Sequence, residues 1–162
     1  PSATTAESAP AAKADDKAGT ALKDDATTLV CKTCPPACAH LACGVPGTKY
    51  RGGADGCMTK PTGDGKDSHH MPADAYSPLK PRAAGPAIQM DPVDHQATTS
   101  YGGRVHGPLY APQRALLARG QTMAAMLMDV AEVKAAFGSK YDGAIAQMML
   151  YAACLKKNGI IQ

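Results

Sequence analysis

Two adjacent histidines, His69 and His70, stand in the run Asp67-Ser68-His69-His70-Met71-Pro72, and a third, His95, follows beyond a loop and a short apolar stretch. The chain has five histidines in all, so three in this arrangement read as a working set rather than as scattered surface residues. Neighbouring residues of an extended segment point to opposite faces. One imidazole can then hold a metal while the next faces a substrate, and a third on a following helix can complete the site. Neutral imidazole suits divalent transition metals, and it is the side chain that titrates near neutral pH. The plainer reading is a histidine pair that caps turns in a Pro/Gly-rich segment. Of the remaining two, His106 in Val105-His106-Gly107 reads as a loop histidine or as a neighbour of a phosphate or metal. His40 reads as a solvated residue beside the cysteines.

Thiols form the second group. Cys31 and Cys34 make a CxxC, followed by Cys38, Cys43 and Cys57. With His40 they offer enough ligands for a tetrahedral zinc site, or they pair as disulfides in an exported protein. The irregular spacing lacks the second CxxC that would argue strongly for zinc. Cys154 falls in the apolar pattern of the last helix and reads as a buried small hydrophobe, although six thiols also permit three bridges. No strand–CxxC–helix context for a thiol-redox enzyme is present.

The elements that must position these groups follow from pattern. Residues 1–29 are rich in Ala, Thr, Asp and Lys without apolar periodicity and read as a linker or disordered arm, with a weak helix at Ala18–Asp25. Residues 30–66 are a Cys-, Gly- and Pro-rich loop region. Residues 67–100 hold the histidine pair, a Pro-rich loop, a strand over Ala87–Met90, and Asp91-Pro92, which reads as an N-cap and first turn that place His95 one turn inside a helix. Residues 101–111 read as turns. From 112 to 158 the pattern is helical: Leu116, Met123, Leu127 and Val130 on one face, a short helix Asp129–Phe137 stopped by Gly138, and a last helix Tyr141–Asn158 burying Ile145, Met148, Met149, Ala152 and Leu155. The chain has no Trp and one Phe, so Ala and Met must fill closely packed helices. The expected fold class is α+β.

The strand–His–His–loop–strand–helix–His unit is similar to the ββα-metal arrangement of HNH nucleases. Three strings sharpen the likeness: Ser68-His69-His70-Met71-Pro72-Ala73; Gly85-Pro86-Ala87-Ile88-Gln89-Met90 with Asp94-His95; and Phe137-Gly138-Ser139-Lys140-Tyr141-Asp142-Gly143-Ala144-Ile145-Ala146-Gln147-Met148. Over roughly residues 50–151 the chain resembles the SHH-signature toxins, which belong to the HNH/endonuclease VII superfamily of bacterial polymorphic toxins. That resemblance implies a treble-clef-like ββα-metal core between the Cys-rich region and the C-terminal helices, all within one toxin domain over 30–162. It implies a metal-dependent endonuclease with His70 as general base and His69 and His95 as ligands of one divalent ion (magnesium, manganese, zinc or nickel). Asp91, Asp94 and His106 are candidate auxiliaries. The HNH asparagine is absent between His70 and His95, which leaves a backbone carbonyl or Gln89 to orient the base. A structural zinc at Cys31, Cys34, Cys38, Cys43 and Cys57 is plausible in such folds, but passage through an oxidising space favours disulfides.

The implied partners are DNA and a cognate acidic immunity protein. The implied setting is a larger secreted effector, delivered by type VI or another polymorphic-toxin route and acting in the recipient's cytoplasm. Competing readings are an RNase of the same fold and a non-catalytic Cys/His-rich nucleic-acid-binding module. Charge is compatible with a phosphate partner. The net charge is +3, and residues 1–30 carry five acids against three lysines (net −2), so the rest carries +5. No apolar run is long enough to span a membrane. The first residues resemble no signal peptide and lack an initiator Met, so a piece of a larger protein is expected.

Overall fold

A computed structural model describes residues 29–162. The expected arm and its weak helix at Ala18–Asp25 lie outside them. The architecture is α+β. Three short strands, β1 (Gly52–Ala54), β2 (Asp67–His70) and β3 (Pro86–Met90), form one antiparallel sheet in the order β1-β3-β2. Among the described residues five α-helices accompany it: α1 (Asp55–Met58), α2 (Pro92–Gln96), α3 (Ala111–Ala118), α4 (Thr122–Phe137) and α5 (Asp142–Lys157). Strand β3 is central and buried along its whole length, which suits its apolar sequence.

Strand β1 lies within residues 30–66, which the sequence marks as a loop region. Its glycines explain both its weak pattern and its position. A Cβ on Gly52 would lie 1.8 Å from the carbonyl oxygen of Ala144 in α5, and one on Gly53 would lie 2.2 Å from that of Ala42. Two bare backbone positions therefore let α5 and the Cys-rich segment press directly onto the sheet.

Helix α5 buries Ile145, Met148, Tyr151, Ala152 and Leu155 on one face, as the 3.6-residue period requires. Met149 is only partly buried. Gly120, at φ +74°, divides α3 from α4, so α4 starts at Thr122, well before the expected Asp129. Its buried face runs through Ala125, Met126, Asp129, Val130 and Val133. Leu127 lies off that face and is 52 % exposed, contrary to the expectation that it shares a face with Val130. Residues 102–106 and 108–110 form 3-10 turns that lead into α3.

Three disulfides close the Cys-rich region: Cys31–Cys34, Cys38–Cys154 and Cys43–Cys57. The zinc alternative for Cys31, Cys34, Cys38, Cys43 and Cys57 is thereby corrected, because a sulfur spent in a disulfide is no thiolate ligand. Cys154 is likewise no mere hydrophobe; it ties α5 to the turn at Pro36–Leu41. Beneath the Cys43–Cys57 bridge lies Arg51. Its guanidinium donates to the carbonyls of Cys43 (2.8 Å), Cys57 (3.2 Å) and Lys60, and burial lowers its pKa.

Candidate functional site

Alternation along β2 builds the site. Asp67 and His69 face α2, while Ser68 and His70 face α1. On the first side, His95 of α2 places Nδ1 2.9 Å from Asp67 Oδ2, and its ring lies 5.0 Å, centroid to centroid, from that of His69. On the other side, the Ser68 hydroxyl donates to Asp55 Oδ1 at 2.7 Å, and His70 Nε2 lies 3.6 Å from the same oxygen. His70 Nε2 also meets the carbonyl oxygen of Arg82 at 3.3 Å. That contact calls for a proton on Nε2 and leaves the lone pair on Nδ1.

All three imidazoles reach one cleft of about 280 Å³, shared with Ser68, Arg82 and the loop Ser100–Gly102. Both members of the pair are buried, at 3 % and 6 % exposure. Burial, then the neighbouring His95 and His70, push His69 down to about 3, so its ring is neutral throughout the physiological range. Burial also lowers His70, against the opposing pull of Asp55. A neutral His70 can accept a proton at neutral pH.

The remaining anticipated residues sit elsewhere. Asp91 and Asp94 each hold Lys140 Nζ, at 2.8 and 2.7 Å. Tyr50 donates to Asp91 (2.8 Å) and Tyr141 to Asp94 (2.6 Å). The bonds from Lys140 hold both carboxyls below their usual range. Asp91 stands at the N-cap position of α2, but its side chain makes no capping bond. Gln89 is buried beneath the sheet, accepting the backbone N–H of Arg51 at 3.0 Å, so of the two candidates for orienting His70 the backbone carbonyl is the one in contact. His106 pairs with the Tyr76 hydroxyl through Nδ1 at 2.6 Å, and none of these four residues lines the cleft.

Asp55, Asp67 and Arg82 went unforeseen. Asp67 was detectable, since it lies two residues before His69 and shares its face of the strand. Asp55 and Arg82 carried no signal, being brought to His70 by β1–β3 pairing and by a turn.

The expected divalent ion at His69 and His95 also needs correction. Among the described residues, no group of three or more His, Cys, Asp or Glu side chains is gathered as a metal site. Two imidazoles face each other, and the nearest carboxylate, Asp67, is engaged by His95 Nδ1. The residues therefore present no preassembled set of three or more protein ligands for a resident metal. Among the described residues no helix is long and apolar enough to cross a membrane. No family model, no curated protein and no solved structure matches the chain.

Proposed function

We propose that this chain is an endonuclease toxin that hydrolyses phosphodiester bonds of DNA in a recipient bacterial cell. It would act as the C-terminal domain of a secreted effector delivered by type VI or another polymorphic-toxin route. The observation that carries the reading is the convergence of His69, His70 and His95 on one cleft, with His70 backed by Asp55 and a carbonyl and His95 by Asp67. The antiparallel β2–β3 pair followed by α2 supports the ββα unit of the HNH/endonuclease VII superfamily.

In this reading His70 takes a proton from water through Nδ1 as the water oxygen attacks phosphorus. The bond from phosphorus to the leaving oxygen breaks, and His95, entering the step as the imidazolium with Nδ1–H held by Asp67, gives its Nε2 proton to that oxygen. Arg82, two-thirds exposed at the cleft and only 3.9 Å from Asp55, offers its guanidinium to the phosphate. His69, neutral and without a hydrogen-bonding side-chain partner among the described residues, is available to the substrate. The chemistry does not use a ribose hydroxyl, which favours DNA over RNA.

A producer cell must restrain such an enzyme. The positive charge outside residues 1–30 favours an acidic immunity protein, with association that slows as salt rises. The test is degradation of plasmid DNA and of RNA by the folded chain, with magnesium supplied and again with chelator. His70→Ala is expected to abolish cutting, and Asp91→Asn is expected to keep it. DNA binding without cutting in every buffer would replace the enzyme with a non-catalytic nucleic-acid-binding module.

A further inference from the structure

Helix α4 carries two carboxylates one turn apart, Asp129 and Glu132, and neither lines the cleft. Each is bonded to a segment connected to it. Glu132 is held twice by Thr99: the backbone N–H donates to Oε1 at 2.6 Å and the hydroxyl to Oε2 at 2.8 Å. Thr99 immediately precedes Ser100, Tyr101 and Gly102 of the cleft wall. Tyr101 stands edge-on to His95 with ring centroids 5.0 Å apart, and the Thr98 hydroxyl donates to the His95 carbonyl at 2.8 Å.

Asp129 is only 1 % exposed. It accepts from the Tyr110 hydroxyl at 3.0 Å and from Gln113 Nε2 at 3.1 Å. The same Tyr110 oxygen accepts the N–H of Ala73 at 2.9 Å. Ala73 lines the cleft three residues after His70.

We propose that Asp129 and Glu132 are positioning residues: α4 is a mount that fixes the loop beside His95 through Glu132, and the chain leaving His70 through Asp129 and Tyr110. The inference deepens the hydrolytic reading of the cleft and, for its effect on rate, rests on it. A carboxylate in a helix face is a costly way to pack a helix, since an apolar residue packs without desolvating a charge. Both carboxylates reach segments that lie outside the sheet's ladder, Glu132 at Thr99 and Asp129 at Tyr110 and at Gln113 of α3, and so add long-range anchors to the local backbone turn bonds there. Reactive geometry is sensitive to such anchoring, because a misplacement near 1 Å costs about 10²-fold in rate.

The test uses the whole chain as Glu132→Ala, Glu132→Gln and Tyr110→Phe, each checked for folding by melting temperature. Readouts are the imidazole NMR resonances of His70 and His95, and kcat separated from KM on DNA. Glu132→Ala should move the His95 resonances and lower kcat by about 10²-fold with KM little changed. Glu132→Gln, which keeps an acceptor for Thr99, should restore most of the loss. Tyr110→Phe should instead move the His70 resonances. Unmoved histidine resonances in folded Glu132→Ala, or a glutamine as damaging as alanine, would overturn the mount. If the wild-type chain cuts no nucleic acid, the proposed function fails by itself, and the resonances still decide the mount.

Discussion

Removing the Cys38–Cys154 bridge should cost the fold far more than removing either of the other two. The bridge joins residues 116 apart, whereas Cys43–Cys57 spans 14 and Cys31–Cys34 spans 3. If a cross-link acts by restricting the unfolded chain, its effect grows with the logarithm of the closed loop. The three loops then correspond to about 4.8, about 3 and about 1.6 kcal/mol at 25 °C. The Cys43–Cys57 loop is nested inside the long one and shortens it by only 14 residues, which changes the logarithm little. A loss near 4.8 kcal/mol is a large part of a domain's usual stability, about 5–15 kcal/mol. The perturbation is three paired Cys→Ala variants, alanine being chosen because Cys38 is fully buried and a serine there would strand a hydroxyl. The assay is urea unfolding followed by circular dichroism. With a slope of about 2 kcal/mol per M, Cys38→Ala/Cys154→Ala should lower the midpoint by about 2.4 M. Cys31→Ala/Cys34→Ala should lower it by a third of that. If the Cys31–Cys34 pair proves the more costly, or all three pairs cost the same, the loop-entropy argument is refuted and native packing around the sulfurs sets the stability.

Two further outcomes follow from buried charge. Burial raises the Asp129 carboxyl to about 7, against about 3.9 for an unfolded aspartate, so the folded state holds the proton to higher pH. Stability should then fall as pH rises from about 4 to about 7, and Asp129→Asn should flatten that part of the profile; identical urea midpoints against pH in both proteins would contradict it. His69, held near 3 by desolvation, should show no imidazole titration by NMR between about pH 5 and 8, in contrast to an ordinary histidine near 6.5; a midpoint inside that range would mean that water reaches the ring freely.

The sequence by itself determined those features that depend on near neighbours. The 3.6-residue spacing of Ile145, Met148, Ala152 and Leu155 defined the buried face of α5, and Pro92 after Asp91 marked the start of α2. The apolar run of β3 and the extended His69–His70 segment are equally local. Tertiary structure alone decided which groups stand behind the histidines. Asp55 reaches His70 because β1 pairs with β3 and delivers α1 to the cleft, a contact between residues 15 apart that no spacing rule encodes. Asp91 and Asp94, local to His95 in sequence, turn instead to Lys140, Tyr141 and Tyr50, because α2 packs its acidic side beside the start of α5. Cysteine pairing was also beyond a local reading. Six thiols admit many connectivities, and only the docking of α5 against Gly52, with the Cys-rich segment against Gly53, brings Cys154 to Cys38. Propensity and periodicity act over one or two turns of chain, whereas pairing, desolvation and charge partners are set by segments tens of residues apart.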